Sequence, residues 1–157
     1  VKGWDRRALE GLPLKLLIMS LLISLTVPVV LESIESYERS TTRSMMVAEG
    51  ERVVSTVEEV MSAGEGNRRI ITVSLPQGMD RYHLAFELGG ELNGSSSLTV
   101  RCTADGKPFR ALVPENPPAR ITSVDGGTLR LMTGEHQLSI ECVRIQERMV
   151  AVVEVIG

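Results

Sequence analysis

Leu16-Leu17-Ile18-Met19-Ser20-Leu21-Leu22-Ile23-Ser24-Leu25-Thr26-Val27-Pro28-Val29-Val30-Leu31 is a run without a single charged residue and without a polar face. A helix apolar on every side, here through Leu16, Leu17, Ile18, Leu21, Leu22, Ile23 and Val27, must be buried in lipid or among copies of itself. Residues 9–15, interrupted only by Glu10 and Lys15, lengthen the segment to roughly 34 Å at about 1.5 Å per residue, enough to cross a bilayer core of about 30 Å. Lys2, Arg6, Arg7 and Lys15 precede the run, whereas Glu32, Glu35 and Glu38 follow it. The positive-inside bias therefore puts the N-terminus in the cytoplasm and everything after Glu32 outside the cell.

Beyond the run the helical pattern continues. Ile34, Tyr37, Met45, Ala48, Val54, Val57 and Met61 recur mostly at helical spacing, with Glu49, Glu51, Glu58 and Glu59 as the wet face. Ser24-Leu25-Thr26-Val27-Pro28 matches the small-x-small site of a removable secretory signal poorly, so the segment is expected to be retained. Gly64-Glu65-Gly66-Asn67 stops the helix, because paired glycines permit the left-handed turn that ends helices. The expectation is one helix over residues 9–63. Pro28 lies inside it, where the missing N–H and the ring clash predict a kink or local melting around residues 24–28.

After that stop the period changes to alternation. Strands are expected at residues 69–75, 82–88, 97–102, 119–124, 128–131, 137–145 and 149–155. Turn residues separate them at Pro76-Gln77-Gly78, Gly89-Gly90, Asn93-Gly94, Asp105-Gly106, Asp125-Gly126-Gly127 and Thr133-Gly134. Hairpins are expected at Asp105-Gly106-Lys107 and at Gly126-Gly127. The fold class is thus α+β: a long hydrophobic N-terminal helix followed by an all-β head over residues 68–157, sandwich or barrel-like, with seven strands.

The chain has 157 residues and a net charge of -3, and its Lys and Arg are scattered, which excludes nucleic acid as a partner. Cys102 and Cys142 both fall in strand-like segments. An exported domain lives where disulfides persist, so a Cys102–Cys142 bridge is expected, closing a loop of about 40 residues; two buried thiols that merely pack are the competing reading. Val1 is what an alternative start codon would give, so the chain reads as an unprocessed precursor.

A basic leader ending in a small residue, an apolar helix that continues as an amphipathic stalk, and a small β-rich head resemble a type IV pilin. The run Arg6-Arg7-Ala8-Leu9-Glu10-Gly11-Leu12-Pro13-Leu14 is similar to archaeal prepilin N-termini with a class III signal peptide. The resemblance covers the whole chain as an architecture and about the first 30 residues as motifs. It implies a leader over residues 1–8 cut by a prepilin peptidase between Ala8 and Leu9, with a cut after Gly3 as the alternative. It further implies assembly by an ATPase and a membrane platform protein into a homo-oligomeric surface filament. A permanently membrane-anchored extracellular β domain, or a minor pilin or archaellum accessory protein, is the alternative.

Catalysis and cofactors find no support in the residues. His83 and His136 have no partner ligand at metal spacing, and Ser95-Ser96-Ser97 lacks the glycine elbow of a nucleophilic serine. The acidic residues are dispersed, and the few aromatics, Trp4, Tyr37, Tyr82, Phe86 and Phe109, form no stacking platform. Asn93-Gly94-Ser95 is an N-glycosylation acceptor in a predicted turn on the exported side.

Overall fold

Ala63 is the last residue of the long helix, directly before the Gly64 stop expected from the sequence. The computed structural model describes residues 6–77 and 83–157, with side chains from Pro13 onward. Helix α1 runs Arg6–Ala63, so Ala8 and Leu9 lie within its backbone; their side chains, like Lys2, Gly3, Trp4, Gly78 and Tyr82, lie outside the described residues. Both Pro13 and Pro28 sit inside the helix without interrupting it. Of the kink or local melting expected around residues 24–28, the melting does not occur, since the helix is continuous there. Pro28 leaves the Ser24 carbonyl without its N–H donor, while the flanking turns keep theirs.

At its end, α1 is capped by a left-handed glycine. Gly64 has φ +91 and returns its N–H to the Met61 carbonyl at 3.2 Å. The Asn67 side-chain amide donates to the Ala63 carbonyl at 2.7 Å, satisfying another carbonyl that the helix end orphans.

The chain forms two compact units, Val1–Thr41 and Thr42–Gly157. The second begins inside α1, because the helix becomes one-sided there. Met46, Val53, Val57 and Val60 are fully or almost fully buried at spacings that share one helix face. Burying each such side chain is worth about 1.5–3 kcal/mol. Gly50 sits on the same face, where a Cβ would come within 2.6 Å of Leu112 Cδ1 and 3.2 Å of Phe86 Cζ. The helix approaches the sheet that closely because nothing projects at residue 50.

Eight strands follow among the described residues, in two four-stranded sheets. They are β1 (Arg68–Leu75), β2 (Leu84–Leu88), β3 (Val100–Ala104), β4 (Lys107–Leu112), β5 (Arg120–Ser123), β6 (Leu129–Met132), β7 (Gly134–Ile145) and β8 (Arg148–Val155). One sheet has the order β1-β7-β8-β5 and the other β4-β3-β2-β6. Among the described residues only the β5–β8 pair is parallel. Inward residues of both sheets, including Val73, Phe86, Leu88, Val100, Ile121, Leu138, Ile140 and Val153, join the α1 valines in one core.

Seven strands were expected and eight are present among the described residues. The additional one, β4, carries Lys107 and Pro108, which read as loop; the proline is tolerated because β4 is an edge. Its hairpin with β3 is the expected one at Asp105-Gly106, with Ala104 opposite Lys107 and positive φ at both turn residues, as a type I′ turn requires. The hairpin expected at Gly126-Gly127 is corrected. A turn is there, with the Gly126 N–H on the Ser123 carbonyl at 2.9 Å, but β5 pairs with β8 and β6 with β2. The turn therefore carries the chain from one sheet to the other. The segment expected as a strand from residue 97 starts as a 3-10 helix, Ser95–Leu98, with β3 following from Val100.

The two sheets are tied at Gly89 and Gly90. The Gly90 N–H donates to the Ile121 carbonyl at 3.1 Å, bonding the end of β2 to β5. Gly89 has φ +62, and a Cβ there would lie 2.1 Å from the Ile121 carbonyl oxygen. Only glycine fits this crossing.

Candidate functional site

The surface that asks for a partner is the first unit of α1. Leu16, Leu17, Ile18 and Met19 are consecutive, so at about 100° per residue they point in four directions, and all four are exposed. So are Leu21, Leu22, Ile23, Leu25, Val27, Val29, Val30 and Leu31; the exposure of these large apolar residues lies between 47 and 65%. By length and composition the helix is able to cross a membrane.

Its few polar side chains are satisfied within the helix. The hydroxyls of Ser24 and Thr26 donate to the carbonyls of Ser20 and Leu22, each at 2.8 Å, and Ser20 donates to Leu17 at 2.9 Å. Ser33, just past the run, donates to Val29 at 2.8 Å. In an apolar surrounding an unpaired hydroxyl would cost several kcal/mol, roughly 2–7; back-bonding to the preceding turn removes that penalty. The polar boundary is sharp: Lys15 stands on one side of the uncharged run and Glu32 on the other. Glu35 and Arg39 then form an exposed ion pair at 3.5 Å, worth little in water.

In the head, Asn93 is exposed in a turn closed by the Gly94 N–H on the Glu91 carbonyl at 2.8 Å. Sequence reasoning missed what holds this loop. Arg120 Nη1 donates to the Leu92 carbonyl at 2.5 Å and to Ser97 Oγ at 2.8 Å, so one guanidinium from β5 fixes the backbone on both sides of Asn93. An isolated arginine at the start of a strand carries no motif that would have announced this.

The cysteine bridge is corrected. Cys102 and Cys142 are both free and fully buried. They occupy β3 and β7, strands of different sheets, and each packs into the core as an apolar side chain. Cys102 Sγ contacts the Met46 carbonyl at 3.9 Å. Burial pushes the Cys102 thiol up to about 11, against a smaller opposing pull from Arg110. Burial also raises the Cys142 thiol, reinforced by Glu65 and opposed by Arg144. Neither is a poised nucleophile, because reactivity follows the thiolate fraction.

The histidines have structural surroundings. The backbone N–H of His83 donates to Asp105 Oδ1 at 3.1 Å, and His136 Nε2 lies 2.8 Å from the Met132 carbonyl. Among the described residues no cluster of His, Cys, Asp and Glu is arranged to hold a metal ion. A groove of about 350 Å³ separates α1 from β4, rimmed by Glu51, Glu58, Arg110 and Glu115. Glu58 Oε1 there accepts the backbone N–H groups of Glu115 and Asn116 at 2.7 and 3.0 Å, which anchors the loop after β4 to the helix. Arg43 stacks over Phe109, 5.2 Å from the ring centroid, making a second tie between α1 and β4.

Comparison with protein-family models, with curated proteins and with solved structures finds no match to this chain.

Proposed function

We propose that this chain is a structural subunit, pilin-like, of an archaeal type IV pilus-like surface filament. In this reading it assembles through its apolar N-terminal helix and exposes its β head for adhesion or surface contact. The observation that carries the reading is the all-round exposed apolar surface over residues 14–31, on a helix whose last turns are built into a β head. Lipid satisfies such a surface before assembly, and neighbouring helices satisfy it after, each copy making a heterologous contact that never closes. The subunit then starts in the membrane with its N-terminus cytoplasmic, is cut between Ala8 and Leu9 by a prepilin peptidase, and is raised into the filament by an ATPase and a membrane platform protein. The loop held by Arg120 offers Asn93 as a glycan acceptor on the outer surface.

The second reading, a permanently membrane-anchored extracellular β domain, draws on the same run and its charge asymmetry. Mass spectrometry and electron microscopy of material sheared from the native cell surface separate the two. The filament reading expects thin filaments containing this chain with its N-terminus at Leu9. A chain intact to Val1 that stays with the membrane fraction would refute it in favour of the anchor.

A further inference from the structure

We propose that β1 is a self-complementary edge through which two copies of this chain join their sheets by antiparallel pairing. The inference goes beyond the filament reading and does not depend on it, since an anchored head would pair in the same way.

Each sheet has two edges, and three of the four are blunted. β5 and β6 have four residues each, and β4 carries Lys107, Pro108 and a bulge where its register to β3 shifts. Short strands, proline, charge and bulges are the devices that keep edges from pairing. β1 has none of the first, second or fourth. It is eight residues long, contains no proline and keeps an unbroken register with β7 from Arg68–Glu141 to Leu75–Gly134. Its two charges are drawn away from the edge. Arg69 pairs with Glu59 of α1, and Arg68 Nε donates to Ser139 Oγ of β7 at 2.5 Å.

Hydrogen-bond alternation decides which peptide groups of β1 are free. The Cys142 N–H donates to the Asn67 carbonyl at 2.9 Å, and the ladder runs in register from there, so residues 67, 69, 71, 73 and 75 bond to β7. On the other side of β7, the Ile156 N–H on the Gln137 carbonyl at 2.9 Å gives the odd residues of β7 to β8 and leaves its even ones for β1, which is the same parity. The peptide groups of Arg68, Ile70, Thr72 and Ser74 therefore face outward. All four residues are exposed, Ile70 at 58%, and no strand among the described residues pairs with that side.

The same parity selects the register. Outward residues must meet outward residues, which forbids the full eight-on-eight alignment. Centring the two-fold on Ile71 sets Arg68 opposite Ser74, Ile70 opposite Thr72 and Ile71 opposite its own copy. All four outward residues of each copy are then used. Centring on Thr72 would instead bring Arg68 to Pro76, which has no N–H to give. In the favoured register no arginine faces an arginine, and Arg69 meets Val73. β-branched pairs at the centre are the cross-strand contacts that stabilise antiparallel sheets. The partner is thus a second copy, and the product is one continuous eight-stranded sheet closed by a two-fold.

The test uses the full chain in detergent. In the favoured register Ile71 and its copy form a non-hydrogen-bonded pair with Cα atoms about 4.5 Å apart, within disulfide reach. Under mild oxidation Ile71→Cys should cross-link to a dimer at least ten-fold more than Ile70→Cys, whose neighbour is Thr72. The buried Cys102 and Cys142 should stay out of the reaction. Adding Thr72→Pro should abolish the cross-link and leave the thermal midpoint of the head in place, because the Thr72 N–H serves only the open edge. Ser74→Pro, with the same outward N–H, stands in if Thr72→Pro unfolds the head. Equal cross-linking of the two cysteine variants, or an Ile71→Cys dimer that survives an outward proline, would overturn the proposal.

Discussion

Residues 14–31 and residues 46–60 belong to the same helix and both carry several large apolar side chains, yet their surroundings are opposite. In the first stretch every large apolar side chain is exposed; in the second, Met46, Val53, Val57 and Val60 are sealed. The difference lies in where charged residues fall. The later stretch alternates its valines with Glu49, Glu51, Arg52, Glu58 and Glu59, so it has one face to bury and finds it in the sheets. The earlier stretch has no charged residue from Leu16 to Leu31, so a single sheet face could cover only part of it. By length and composition it is able to cross a membrane.

One substitution made at both places gives the largest effect. Val57→Asp puts an unpaired carboxylate into a sealed core and should cost more than about 4 kcal/mol, comparable with the lower end of the about 5–15 kcal/mol that holds such a domain. Circular dichroism should show no cooperative thermal transition for the head. Leu22→Asp should leave that transition where it is. It should instead cost membrane insertion about 2.5–3.5 kcal/mol, read as a fall of roughly one hundred-fold in the membrane-bound fraction. If both variants shifted the head transition alike, the helix would not be divided as described.

A smaller effect probes how tightly the head is closed. Gly89→Ala must place a Cβ against the Ile121 carbonyl at an unfavourable φ, with a cost of about 3 kcal/mol by overpacking and strain. Gly64 shares the positive φ but has nothing within 4 Å, so Gly64→Ala should cost only about 1–2 kcal/mol. Chemical denaturation of the two variants measures the gap. Equal costs would mean that the sheet crossing at Gly89 relaxes freely.

Alkaline pH separates the regions further, because no titratable group lies between Lys15 and Glu32. In the head, Cys102 titrates near 11 when folded and near 9 when its burial is lost. Above about 9 the unfolded chain binds fewer protons than the folded one, so stability falls as pH rises from about 9 to about 11, by up to about 1.4 kcal/mol per unit. Below pH 9 the full contribution is present. Cys142 acts in the same direction. Urea midpoints taken across that window should drop for the native chain and drop less for Cys102→Ala; identical slopes would show that the thiol is not desolvated.

The helix was legible because its signal is local and redundant: sixteen uncharged positions need no knowledge of the head. Strand existence was legible for the same reason wherever alternation was strong. Pairing was not. Turn residues at Gly126-Gly127 mark a reversal but carry no information on which sheet receives the next strand, and β5 finds its partner in β8, thirty positions on at Arg120–Val150. The cysteines show the same limit. Alternation puts both on core-facing positions, but whether two such positions touch depends on which sheets they enter. β4 escaped because Lys107 and Pro108 obey edge rules, which sequence cannot distinguish from loop composition. Arg120, the residue that fixes the Asn93 loop, was invisible because its partners are backbone carbonyls and one hydroxyl of a loop over twenty residues away.

The smallest expected effect is a gain. β7 and β8 are joined by Gln146-Glu147, with Ile145 opposite Arg148 and φ of 49 and 65 at the two turn residues. That is the two-residue hairpin of positive φ which asparagine and glycine occupy readily and long side chains do not. No turn residue announced it, so the tip was missed although both strands were found. A left-handed non-glycine residue costs about 1–2 kcal/mol, part of which asparagine and glycine recover. Gln146→Asn with Glu147→Gly should therefore stabilise the head by about 1 kcal/mol, raising its midpoint by about 4–8 °C. The double change lies in the head, so membrane association through residues 14–31 should not respond. A midpoint that stayed constant would place the strain elsewhere than in the turn, and a changed membrane fraction would break the independence on which the comparison of the two stretches rests.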